Sequence, residues 1–146
     1  MSLVIAAAIL CVLGAIALAH AYWATGGVWP ARDGASLARA VIGDGRARMP
    51  PPVACLLAAA AVAVAAVWPM LLVATATTAP PRAVIVGVGA AIAVVFLLRG
   101  VAGYLPAWRR RFATEPFAMR DITLFSPLCF IIAAGYGALL LPGVVK

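Results

Sequence analysis

Apolar residues run almost unbroken through four stretches, Leu3 to Ala24, Val53 to Ala79, Ala83 to Leu105 and Ile122 to Val145, and polar residues collect between them. A helix rises about 1.5 Å per residue, so about 20 apolar residues cover the ~30 Å hydrocarbon core of a bilayer. Each stretch is long enough. The pattern predicts an all-α protein, an integral membrane bundle of four transmembrane helices forming a single domain over residues 1–146. The stretches between spans are too short to bury cores of their own.

Composition agrees. With 66% hydrophobic residues, 10% charged residues and a mean hydropathy of +1.13, the chain has too little polar surface to solvate a globule of 146 residues. A net charge of +7 raises nucleic acid as a partner, but the arginines stand in loops beside spans rather than along one soluble face, which points away from it. The first loop holds Arg32, Arg39, Arg46 and Arg48, and the third holds Arg109, Arg110, Arg111 and Arg120. The second loop has only Arg82 and the C-terminus only Lys146. The positive-inside rule then predicts that loops one and three are cytoplasmic and that both termini lie on the outer face. Ala17-Leu18-Ala19 and Ala19-His20-Ala21 look like processing sites, but Met1 to Ala24 carries no positive residue and its apolar run is too long for a signal sequence. A retained first span is expected.

Small residues dominate the spans, most of all in Ala58 to Ala66. Lipid supplies no hydrophobic drive between helices, so small side chains let backbones approach and collect dispersion contacts. Gly87, Ala90, Ala91 and Val94, with Ala133, Ala134 and Gly137, continue that expected packing surface. Pro69 removes one backbone hydrogen bond from the second span and predicts a kink. In the first loop, Asp33 to Val41 reads as a short amphipathic helix started by Asp33 or Ser36 and ended at Gly43 or Gly45. It is expected to lay Leu37, Val41 and Ile42 on the membrane. In the third loop Trp108, Phe112, Phe117 and Met119 alternate with arginines, as suits a segment at headgroup level contacting anionic lipid.

Polar residues in or beside the spans converge on one end. His20 and Trp23 end span one, Arg99 and Tyr104 end span three, and Asp121, Ser126 and Cys129 begin span four. Antiparallel order brings these stretches to the cytoplasmic leaflet, and an ionisable group inside a membrane is a functional candidate by default. Arg99 lies about 9 Å below the end of its span by helical rise, so its guanidinium must snorkel or find an acceptor, and Asp121 is the nearest plausible carboxylate. Ser126-Pro127 reads as a helix start, with Ser as N-cap, leaving Asp121 just outside the span. Each residue has a plainer reading: His20 bonded to a carbonyl, Arg99 with Asp121 as a structural ion pair, and Trp23, Trp29, Trp108 and Tyr104 as interfacial anchors. On the opposite half, Thr75, Thr77 and Thr78 can bond back to helix carbonyls.

The strings His20-Ala21-Tyr22-Trp23-Ala24-Thr25-Gly26-Gly27, Trp29-Pro30, Leu98-Arg99-Gly100, Phe112-Ala113 and Phe125-Ser126-Pro127-Leu128-Cys129, with Asp121, give the chain a resemblance. It resembles a bacterial family of small membrane proteins catalogued as domain of unknown function 3995. The pattern often carries Tyr where this chain has Phe125, so no role rests on a hydroxyl there. The resemblance implies a four-helix fold, retention of span one and a multi-pass place in the bacterial cytoplasmic (inner) membrane. It implies no reaction.

Other chemistry is sparse. Cys11, Cys55 and Cys129 lie in separate spans without a Cys-x-x-Cys, and His20 is the single histidine, so neither dithiol redox chemistry nor a bis-histidine haem is encoded. A zinc site from His20, Cys55 and Cys129 would need a coincidence of folding that no spacing signals. No metal and no cofactor is expected. Phosphate loops and nucleophile elbows are absent from the sequence. Three functions remain, in this order. The first is binding of a lipid-like or hydrophobic small molecule, with Trp23 and Tyr104 as walls, Arg99 and His20 orienting its polar end, and Asp121, Ser126 and Cys129 beside it. The second is an accessory subunit packed on a membrane-protein partner or in a homo-oligomer. The third is an enzyme with His20 as acid or base, oriented by Asp121, and Arg99 stabilising negative charge.

Overall fold

Inside a bilayer a backbone N–H or C=O has no water to bond, so apolar runs of this length satisfy themselves as helices. The computed structural model describes residues 1–74 and 80–141. The four spans are α1 (Ser2–Ala24), α3 (Pro52–Val73), α4 (Arg82–Ala102) and a last one from Phe117 to Leu140. Three shorter segments complete the set: α2 (Gly34–Val41), α5 (Pro106–Arg111) and α6 (Phe117–Arg120), the last of which opens the fourth span. A π-turn, Asp121–Phe125, joins α6 to α7 (Ser126–Leu140). There is no strand among the described residues. The expected span ends at Ala79 and Val145, together with Thr75, Thr77, Thr78 and Lys146, lie outside them.

The spans associate as two pairs, α1 along α3 and α4 along α7. On α1 the buried positions Ala6, Ile9, Leu13 and Ala17 form a stripe of helical period, and the first three meet Ala65, Ala66 and Leu72 of α3 and Ile132, Tyr136 and Leu139 of α7 in one core. The small-residue surface lies elsewhere than expected. Gly87, Ala90, Ala91 and Val94 face outward, as do Ala134 and Gly137. The close approaches use Gly89 against Leu72, Gly100 against Phe130 and Gly135 against Ile9. Period alone could not choose the face, because nearly every face of these helices is small and apolar.

Pro69 sits inside α3, which continues to Val73. Lacking an N–H, it leaves the Ala65 carbonyl without its donor four residues on, and the buried Tyr136 hydroxyl of α7 donates to that carbonyl. Where α3 ends, Arg82 donates to the carbonyls of Leu71 and Leu72 at 3.1 and 2.7 Å. These are terminal carbonyls that the helix cannot satisfy itself.

The fourth span departs from the sequence reading at Ser126. Ser126 is no N-cap, since helix precedes it from Phe117 without a break, and Asp121 is inside the span. The Ser126 N–H bonds the Asp121 carbonyl five residues back, the wide register of a π-turn. That register absorbs Pro127. With Ser126 engaged and Pro127 lacking an N–H, the Ile122 carbonyl has no helical donor, and the Tyr104 hydroxyl supplies one at 2.9 Å.

Candidate functional site

Residues from both arginine-rich loops fold back over one end of the bundle. Asp33 caps α2 reciprocally with Ser36: the Ser36 N–H donates to Asp33 Oδ1 at 2.7 Å, and the Ser36 hydroxyl accepts from the Asp33 N–H at 3.3 Å. The Ser36 backbone N–H, and after it the Ser36 hydroxyl donating to Oδ1 at 2.9 Å, hold the Asp33 carboxyl below its usual range. The amphipathic helix thus forms as read, but its apolar face turns inward. Leu37 is fully buried, α2 packs on α6, and Val41 and Ile42 line a cavity instead of resting on lipid. The protein itself offers the apolar surface there, a row of Phe112, Phe117 and Phe125 rings. The Thr114 N–H donates to the Gly43 carbonyl at 3.1 Å, and Asp44 bonds Arg46 while lying 3.9 Å from Arg111. The hydrogen bond from Arg46 is the main cause that brings the Asp44 carboxyl down to about 2.

The His-x-x-Trp-x-x-Gly-Gly string explains how α1 stops. Gly26, at φ +88°, and Gly27 donate to the carbonyls of Trp23 and Tyr22, the paired bonds of a Schellman ending. Trp23 Nε1 donates to the Trp29 carbonyl at 2.9 Å and so leaves its ring as the part available for contact. His20 Nδ1 bonds the Ile16 carbonyl at 2.8 Å, and the His20 and Trp23 rings lie 5.0 Å apart. A ring that donates from Nδ1 presents Nε2 as an acceptor when neutral.

Arg99 and Asp121 form an ion pair, Nη2 to Oδ1 at 2.6 Å. Trp108 completes it. Its Nε1 donates to Asp121 Oδ2 at 2.8 Å, and the Arg99 guanidinium lies 4.7 Å from the centre of its ring. Both carboxylate oxygens are therefore engaged, and one face of the cation is covered. The sequence predicts an interfacial anchor at Trp108, and the structure places it instead in the ion-pair cluster. Its position two residues into a Pro-started turn just after span three was the available signal. The Arg99 Nη1 nitrogen is buried without a partner among the described residues.

Two hollows flank this triad. The first, about 620 Å³, lies between the helix pairs and is lined by His20, Trp23, Arg99 and Cys129 together with apolar side chains such as Leu13, Val62, Phe96 and Leu128. The second, about 540 Å³, lies among the third-loop residues and is lined by Tyr104, Trp108, Arg109, Arg110, Glu115 and Asp121. The seven sequence-level candidates thus separate. Four line the first hollow, Asp121 and Tyr104 line the second, and Ser126 lines neither, its hydroxyl pressed against Gly103, where no Cβ would fit. Asp121 does not orient His20, because Ile16 holds the imidazole and Arg99 and Trp108 hold the carboxylate. Cys55 also lines the first hollow, yet His20, Cys55 and Cys129 do not gather into a group able to hold a metal ion.

Four apolar helices with polar groups gathered at one end define a multi-pass helical membrane protein. The model of a family described as protein of unknown function (DUF3995) matches residues 13–136, and the chain belongs to that family. Comparisons with curated proteins and with solved structures gave no match.

Proposed function

We propose that this protein binds a lipid-like or hydrophobic small molecule in the 620 Å³ hollow between its helix pairs. The observation that carries the reading is the character of that hollow. Its volume falls within the roughly 300–1,000 Å³ of small-molecule sites, and its wall is apolar except for a few polar groups, His20 and Arg99 chief among them. Trp23 forms part of the wall, and the triad behind Arg99 fixes the guanidinium. The proposed setting is the bacterial cytoplasmic membrane with the arginine-rich end in the cytoplasm, supported by the loop charge asymmetry. An acid–base enzyme is the weaker reading, since His20 lacks the carboxylate partner it would use. The accessory-subunit reading draws support from the outward small residues Gly87, Ala90, Ala91, Ala134 and Gly137, a surface on which a second helix could pack closely.

Native mass spectrometry of protein released from its own membranes tests the proposal. A bound small molecule is expected at one per chain. Trp23→Leu, which removes a wall, and His20→Gln, which alters the polar end, should each lower its occupancy several-fold without loss of folded protein. Unchanged occupancy and phenotype in both variants would transfer support to the accessory-subunit reading.

A further inference from the structure

We infer that the molecule bound in the hollow is an uncharged amphipath with a hydroxyl-bearing head, rather than an anionic or cationic lipid. This rests on the reading of the hollow as a binding site and concerns what the site demands of its occupant. Arg99 is the one Lys, Arg, Asp or Glu on the lining, and its charge is already matched by Asp121 at 2.6 Å on the far side of the wall. A carboxylate or phosphate in the hollow would place a second negative charge near Asp121, where the low dielectric magnifies repulsion. An ammonium would face the guanidinium. The charge demand of the site is therefore close to nil.

Its hydrogen-bond demand is not met. His20, held through Nδ1, keeps Nε2 in its neutral form as an acceptor without a donor, and Arg99, with Nη2 on Asp121, puts a partly exposed guanidinium on the same wall. The Trp23 N–H is spent on the Trp29 carbonyl. A hydroxyl is the simplest neutral group that can both accept from a guanidinium and donate to an imidazole. The remaining wall of Leu, Val, Phe and Ile side chains suits an apolar body behind it.

Three probes of equal chain length separate the cases: 1-hexadecanol, hexadecyl phosphate and hexadecane, each radiolabelled and presented at matched mole fraction to the full chain in phosphatidylcholine nanodiscs. The alcohol should bind at least about tenfold more tightly than either of the others. In His20→Leu that advantage over hexadecane should fall about tenfold while hexadecane binding persists, which shows the variant to be folded. Preference for hexadecyl phosphate, equal binding of alcohol and alkane, or an unchanged alcohol advantage in His20→Leu would each overturn the uncharged-hydroxyl assignment and leave the binding hollow standing. If none of the three binds, the hollow is not a small-molecule site and both readings fall.

Discussion

At the end of the bundle where α3 gives way to α4, Tyr136 donates to the carbonyl freed by Pro69, Trp68 to the Ile85 carbonyl at 2.9 Å, and Arg82 to two terminal carbonyls. At the arginine-rich end, Arg99 Nη1 and the Ser126 hydroxyl are buried without partners among the described residues, and a hollow of about 620 Å³ opens beside His20 and Arg99. Both ends contain a proline within a span and a tyrosine that repairs the damage, Tyr136 from within α7 and Tyr104 from the turn after α4. They differ in what is left over. Polar side chains on an apolar wall are best served by a partner in the cavity, so the end where His20 and Arg99 line a hollow is the end where a ligand has something to offer. One end is finished as a scaffold, and the other is the end that the proposed ligand would complete.

The largest effects are expected at the ion pair. Arg99→Met strands the Asp121 carboxylate, whose side chain is only 3% exposed, and should cost about 3 to 5 kcal/mol. Asp121→Leu leaves a guanidinium that is 29% exposed and able to reach water, so it should cost less. The double variant should recover most of the loss. Reversible unfolding in bicelles measures all three, and a single variant as stable as the parent would remove the pair from the account.

Smaller effects compare the two proline repairs. Tyr136→Phe should cost about 1 to 3 kcal/mol, because the Ala65 carbonyl is then buried unpaired. In a Pro69→Ala background, which restores the backbone N–H, the same change should be nearly neutral. Tyr104 is 48% exposed, so other donors can reach the Ile122 carbonyl and Tyr104→Phe should cost under about 1 kcal/mol. Equal losses for Tyr104→Phe and Tyr136→Phe would erase the contrast between a closed end and an open one.

Much of this was legible in the chain. Span lengths follow from hydrophobic runs, a helix start at Asp33 or Ser36 from the residue types that open the amphipathic run, and the Arg99–Asp121 pair from the need of a buried cation for the nearest carboxylate. Helix rotation was not legible, because spans rich in Ala, Val and Gly present similar faces all round. For that reason the outward turn of Gly87 and Ala91 and the placing of Asp121 behind the wall escaped the sequence reading, whereas Leu37 turns inward because the third loop supplies the apolar partner, the Phe112, Phe117 and Phe125 rings. Ser126-Pro127 misled for a different reason. The dipeptide is a good helix start locally, but the π-turn lets a helix already running from Phe117 pass through it. A usable signal for the tyrosines did exist: a proline within a span frees a carbonyl, and a tyrosine at similar depth on another span is a natural donor to it.

The hollow at the arginine-rich end is the proposed place of small-molecule binding, and filling it is the most direct measurement. Ala58 lines the hollow, whereas Ala91 of α4 faces outward. Native mass spectrometry of Ala58→Phe and Ala91→Phe, each purified from its own membranes, should show the one-per-chain adduct of the parent lost in the first and retained in the second. An adduct that survives Ala58→Phe and disappears in Ala91→Phe would contradict the account and move the binding surface to the outside of the bundle.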